Sequence, residues 1–180
     1  MIARLFRVAV PASFARNYTK TLIQTAVMWG VFLILLPSIV AAVEGDRGFP
    51  VHRPSAAALF VLFGALGLWG GFVMARVGEG TPLPLDTAPN LVIAGPYRWV
   101  RNPMAISAPA QAAALSLWHG SWLLLAYGVG GAIAWNVIIR PPEERDLLER
   151  FGAPYAAYRD AVRCWVPRGA PYSPDDDSLR

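Results

Sequence analysis

Hydrophobic positions along this chain gather in long blocks rather than in a short alternation. No Asp, Glu, Lys or Arg occurs from Thr21 to Val43 (23 residues), from Pro54 to Ala75 (22) or from Asn102 to Ile139 (38), together 83 of 180 residues. The first two lengths suit membrane-spanning helices. The third would make a helix of about 57 Å, nearly twice a hydrocarbon core of about 30 Å, so it must fold back on itself. His119, Gly120 and Ser121 are the turn. The pattern predicts an all-α integral membrane protein with four embedded helices, roughly 21 to 43, 55 to 76, 103 to 118 and 121 to 140, the last two forming a hairpin. The third is short. About 16 residues give about 24 Å, so it either spans with local thinning or forms a partly embedded hairpin.

Composition agrees with this class. The chain is 55% hydrophobic and 16% charged, with a mean hydropathy of +0.39, which excludes an ordinary soluble enzyme. Its length suits a single domain over 1–180, with 169–180 expected to be a loose tail. Arg4, Arg7, Arg16 and Lys20 precede the first apolar block as in a signal peptide, but 23 residues far exceed a signal's apolar region, so the block is read as retained.

Charge placement orients the chain. With the amino terminus inside, fourteen of the sixteen Lys and Arg residues fall on the inner side, and only Arg47 and Arg53 fall outside. Both termini and the polar inner segments are therefore expected in the cytoplasm, at an inner membrane of bacterial type. The pI near 9.6 then reflects topology and anionic lipid, and with no basic stripe interleaved by aromatics no nucleic-acid partner is expected. A single cysteine, Cys164, excludes an intrachain disulfide or a cysteine metal cluster. It reads as a packing residue or an acylation site, and no metal centre is expected. His52 and His119 fall on the outer side, in satisfied or solvated roles. Apart from their edges the spans hold no ionisable residue of the kind that marks an ion path, which speaks against a transporter.

Chemistry is left to two inner segments, 76 to 103 and 140 to 180. The connector GEGTPLPLDTAPNLVIAGPYRWVRNP carries prolines at 82, 84, 89, 96 and 103 that forbid a continuous helix. Leu91, Val92, Ile93, Tyr97 and Trp99 mark it as ordered, a cover folded over something. Gly78 and Gly80 read either as a helix stop or as backbone bare enough for a flat ligand; the prolines that follow exclude a dinucleotide fold. Arg101 either snorkels from the interface or, with Asn102 and Pro103, binds a carboxylate and a heterocycle edge. Glu143 and Glu144 either complement a helix dipole or accept ribose hydroxyls while Arg140 offsets their charge. A short hairpin turn makes Arg101 and Glu144 neighbours. Leu147, Phe151, Tyr155, Tyr158 and Val162 form an apolar stripe with arginines off it, the pattern of amphipathic helices lying in the membrane surface, and the amino-terminal IARLFRVAV reads as another.

The order GEGTPLP, GPYRWVRNPM, a fold-back pair, then EERDLLERFGAPYAAYRDAVRCWVPR resembles the integral-membrane isoprenylcysteine carboxyl methyltransferases and the related phospholipid N-methyltransferases, over about residues 76 to 168. The resemblance implies S-adenosylmethionine as methyl donor, leaving as S-adenosylhomocysteine. It implies cofactor contacts from Gly78, Gly80, Thr81, Gly95, Tyr97, Arg101, Asn102, Pro103, Glu143 and Glu144. Arg140 and Glu144 are the expected catalytic residues, Arg140 orienting an anionic nucleophile. Many relatives carry a tyrosine soon after the proline where this chain has Ala105, a departure that bears on the acceptor. Methyl transfer from a sulfonium is an in-line displacement needing mainly positioning and exclusion of water. An apolar or lipid-like acceptor arriving from the bilayer fits the lack of a soluble substrate domain, with Met104, Ala105 and Trp135 as its expected wall. A non-catalytic lipid- or cofactor-binding accessory protein is the alternative.

Overall fold

The computed structural model describes residues 7–10, 12–44, 48–82 and 86–174, and among these it is helical with no β-strand beyond two isolated bridges. Three helices are long and apolar enough to cross a membrane: α1 (Phe14–Glu44), α2 (Arg53–Val77) and α4 (Trp122–Ala161). Between them α3 (Pro103–His119, 17 residues) forms the expected hairpin with α4. Asn102 caps α3 by accepting from Ala105 N at 3.0 Å, and Gly120, with φ of 67°, ends it. Ser121 caps α4 by accepting from Leu124 N at 3.0 Å. Glu44, the last residue of α1, accepts from the Ser121 hydroxyl and from Trp122 N (3.0 Å). An acid at a helix amino terminus meets orphan N–H groups and the positive end of the dipole, so Glu44 ties α1 to the hairpin.

α2 is the central post. Its Gly64, Gly67, Gly70 and Gly71 are buried, and a Cβ on Gly67 would lie 2.5 Å from Ser107 Oγ, one on Gly71 2.9 Å from Thr21 Cγ2. Small residues let α1 and α3 approach it closely. The amino-terminal half of α1 packs on α2, whereas α1 meets α4 through its carboxy-terminal part, Leu36–Glu44. The two helices diverge toward the inner end.

α4 departs from the expected end near residue 140. It continues for 40 residues, about 60 Å, so only its apolar first half fits a bilayer. Pro141 and Pro142 are absorbed by a wide turn at Trp135–Ile139, where Arg140 N–H bonds to Trp135 O five residues back. α1 passes Pro37 in the same way through Gly30–Leu35. A proline ring clashes with the carbonyl four residues earlier, and a widened turn removes that clash. The helix then kinks at Gly152 (φ 55°).

Other expectations also change. The stripe Leu147, Phe151, Tyr155, Tyr158 and Val162 does not face lipid; it packs with Leu91 and Ile93 of the connector and with Tyr172. The stretch to Pro174, read as loose, is docked at Tyr172, which is buried and whose N–H bonds to Arg98 O at 2.8 Å. Of the expected amino-terminal surface helix, residues 1–6 lie outside the described residues, and 7–10 run extended, with Ala9 N bonding to Thr87 O at 2.9 Å and Thr87 N to Arg7 O at 2.8 Å.

Candidate active site

Helix α3 and the polar half of α4 meet at Arg101. Its side chain is only 9% exposed. Nη1 donates to Glu144 Oε1 at 2.6 Å and to Tyr155 Oη at 3.3 Å, and Nε donates to Val162 O at 2.6 Å. Its backbone N–H bonds to Arg163 O at 3.0 Å. Arg140, one turn before Glu144, donates from Nε to the same Oε1 at 2.8 Å. Burial alone would raise the Glu144 carboxyl, but the hydrogen bonds and charges of the two arginines outweigh it and hold the group below its ordinary value. Burial likewise opposes the charge on Arg101, and the Glu144 carboxylate overcomes that and raises its pKa. Arg98, by contrast, donates to Tyr172 O at 2.7 Å and is spent on the strap of residues 162–172.

The neighbouring acid behaves oppositely. Glu143 has no hydrogen-bond partner among the described residues, and burial first, then the charges of Glu144 and Asp146, push its carboxyl up to about 7 against the pull of Arg101. Two adjacent carboxylates thus differ because one has taken both arginines. Burial pushes the Cys164 thiol up to about 11 and the Tyr155 hydroxyl to about 12. Neither is a ready nucleophile or base at neutral pH.

These groups form the inner end of one cavity of about 980 Å³ that runs outward between α1, α3 and α4. Its roof is the connector, held down by Lys20 Nζ to Asp86 Oδ2 (2.7 Å), Arg150 Nη1 to Ala88 O (2.9 Å) and Tyr158 Oη to Tyr97 O (2.6 Å). Of the residues expected at a cofactor, Thr81, Tyr97, Arg101, Asn102, Glu143 and Glu144 line this cavity, as does Arg140. Met104, Ala105 and Trp135, the expected acceptor wall, line it too. Gly78, Gly80, Gly95 and Pro103 do not. A Cβ on Gly78 would sit 2.7 Å from Ala88 Cβ, one on Gly80 2.5 Å from Ala88 Cα, and one on Gly95 2.8 Å from Val73 Cγ2. Pro103 is fully buried, against Gly70. No group of three or more potential metal ligands occurs among the described residues.

Sequence reasoning missed other wall residues. Thr21, Gln24, Thr25 and Met28 of α1 line the cavity; polar residues at helical spacing inside an apolar block were the available signal. Trp165, edge to face with Trp135 at 5.7 Å, lies beyond any periodic segment and carried none.

The fold and site define a helical membrane protein with a polar pocket at one end of an apolar cavity. The family model described as phospholipid methyltransferase matches residues 54–153, more than half of the chain, from the second residue of α2 through the connector and α3 to Arg140, Glu143 and Glu144 on α4. The chain belongs to that family, and so to a family of methyltransferases. No curated protein and no solved structure gives a significant match.

Proposed function

We propose that this protein transfers a methyl group from S-adenosylmethionine to an amphiphilic acceptor held partly in the bilayer. The observation that carries the reading is the continuity of a charged inner pocket with an apolar cavity between α1, α3 and α4. The residues suit the cofactor. Glu143 is a cavity carboxylate without a protein partner among the described residues, and Trp165 Nε1 is a buried donor likewise unpartnered; a ligand bearing hydroxyls and a carboxylate satisfies both. When bound, it supplies an electrophilic methyl on a sulfonium. Arg101 and the amide of Asn102 hold its carboxylate and a base edge, Glu143 accepts ribose hydroxyls, and Glu144 fixes both arginines in place. Arg140 orients an anionic part of the acceptor against Met104, Ala105 and Trp135, and the connector excludes water. The pocket faces the cytoplasm.

The test is calorimetry with S-adenosylhomocysteine. Arg101→Ala and Glu144→Gln should each weaken binding by about 1.5 to 3 kcal/mol, the scale of a lost charge-assisted hydrogen bond in a desolvated site. Arg98→Ala should do much less. Equal losses at Arg98 and Arg101 would refute the assignment. Tight binding with no methylation of any amphiphile would return the accessory-protein reading.

A further inference from the structure

The cavity does not end at the charged pocket. On α4 its wall runs from Arg140 out to Tyr127, thirteen residues or about 20 Å along the helix. At the outer end the Tyr127 hydroxyl donates to Phe32 O of α1 at 2.9 Å, bridging the two helices that diverge inward from there. Between the bridge and the pocket, Gly130, Gly131 and Ala134 face the space, opposite Met28 and Phe32. All five are exposed on the protein surface. A Cβ built on Gly130 or Gly131 meets nothing within 4 Å. Neither glycine is therefore required by helix packing, as Gly128 is against Ala112 at 3.0 Å. Gly in a helix interior costs about 1 kcal/mol relative to Ala, and here the bare backbone leaves the space between the two helices open.

We propose that the slot between α1 and α4 holds one hydrocarbon chain of the acceptor, that the Tyr127–Phe32 bridge sets its length and that Gly130 and Gly131 set its width. This rests on the methyl-transfer reading above and adds chain selection to it. An extended chain advances about 1.2 Å per bond, so about 20 Å admits roughly sixteen carbons. Gly131 lies nine residues from Arg140, about 13 Å or roughly eleven carbons from the pocket. A second acyl chain, if the acceptor has one, remains in the bilayer through the open side of the slot.

The numbers make the test specific. Binding of single-chain phosphoethanolamines of 6 to 18 carbons to the purified protein, read by native mass spectrometry, should strengthen with length to about sixteen carbons and then level off. The gain should be at most about fourfold per methylene, lowered by micelle competition. Gly131→Trp, which meets no protein atom near its Cβ, should level off at about ten carbons and weaken the sixteen-carbon probe at least tenfold. Tyr127→Ala should move the plateau to longer chains. S-adenosylhomocysteine affinity should stay within twofold of wild type in both variants. Binding without length dependence, no binding at all, or the same plateau in all three proteins would overturn the proposal. Loss of S-adenosylhomocysteine binding in the wild type would instead strike the methyl-transfer reading and leave the slot standing.

Discussion

Glu143→Gln gives the sharpest physical prediction, because the two neighbouring acids pull stability in opposite directions with pH. The Glu143 carboxyl is raised from the ordinary 4.5 to about 7, chiefly by burial. Its folded pKa lies above its unfolded one, so the stability it contributes is fully present below 4.5 and is lost as pH rises through about 7. The difference corresponds to a cost on the order of 3 kcal/mol for holding the charged form at pH 8. Glu144 is lowered, so its contribution is present above its unfolded value and is lost only as pH falls below that range. A window from pH 5.5 to 8.5 therefore isolates Glu143. In thermal unfolding of the ligand-free protein in detergent, the wild type should lose stability across that window, and Glu143→Gln should be flat. At pH 8 the variant should melt higher by about 5 to 10 °C, taking about 2 to 4 °C per kcal/mol for a chain of this size. S-adenosylhomocysteine binding should respond the other way, weaker in the variant and, in the wild type, tighter as the acceptor carboxylate forms near pH 7. Parallel melting curves for the two proteins would refute the placement of Glu143 as a half-buried acid with no hydrogen-bond partner among the described residues.

Three further outcomes follow from other contacts. A cysteine at Ser55 should react with an impermeant maleimide from outside intact cells and one at Arg145 should not; both positions are exposed, whereas Ser121 is buried against Glu44, and labelling at Arg145 would reverse the orientation. Tyr172→Ala removes a buried ring that meets Tyr158 at a tilt, centroids 5.7 Å apart, and should cost about 2 to 3 kcal/mol; because the same strap supplies the Val162 and Arg163 carbonyls to Arg101, calorimetry should also show S-adenosylhomocysteine binding weakened about tenfold. Glu44→Ala deletes the cap that joins α1 to α4 and should lower stability by about 1 to 2 kcal/mol in denaturant titrations, with S-adenosylhomocysteine affinity unchanged because the cap lies at the opposite end of the bundle.

The hairpin and its consequence were legible in the sequence. A 38-residue block free of Asp, Glu, Lys and Arg is too long for one crossing, and a tight turn at Gly120 returns the chain so that Arg101 and Glu144 meet at 2.6 Å. What periodicity does not carry is the identity of a partner. The stripe from Leu147 to Val162 announces a buried face, but lipid and the connector's Leu91 and Ile93 offer equally apolar surfaces, and only the direction in which α4 leaves the membrane decides between them. Pro141 and Pro142 signal a break, yet the helix runs on through them. The widened turn that keeps the helix continuous at Trp135–Ile139 has no marker in composition.

The glycines after α2 set the path of the connector. Gly78 has ordinary helical angles and Gly80 lies off the cavity; the residue in the left-handed region is Glu79 between them, at φ 60°. Its carbonyl accepts from the buried Asn17 Nδ2 at 2.8 Å, a contact that holds the strained turn. A side chain on Gly78 or Gly80 would collide with Ala88, and Ala88 O is also the acceptor for Arg150. The glycines thus let the connector lie flat on the end of α2 and reach across to α4. That path puts Thr81 and Tyr97 at the cavity wall and leads the chain into Arg101 at the start of α3. Small residues here act on the site through the roof that encloses it.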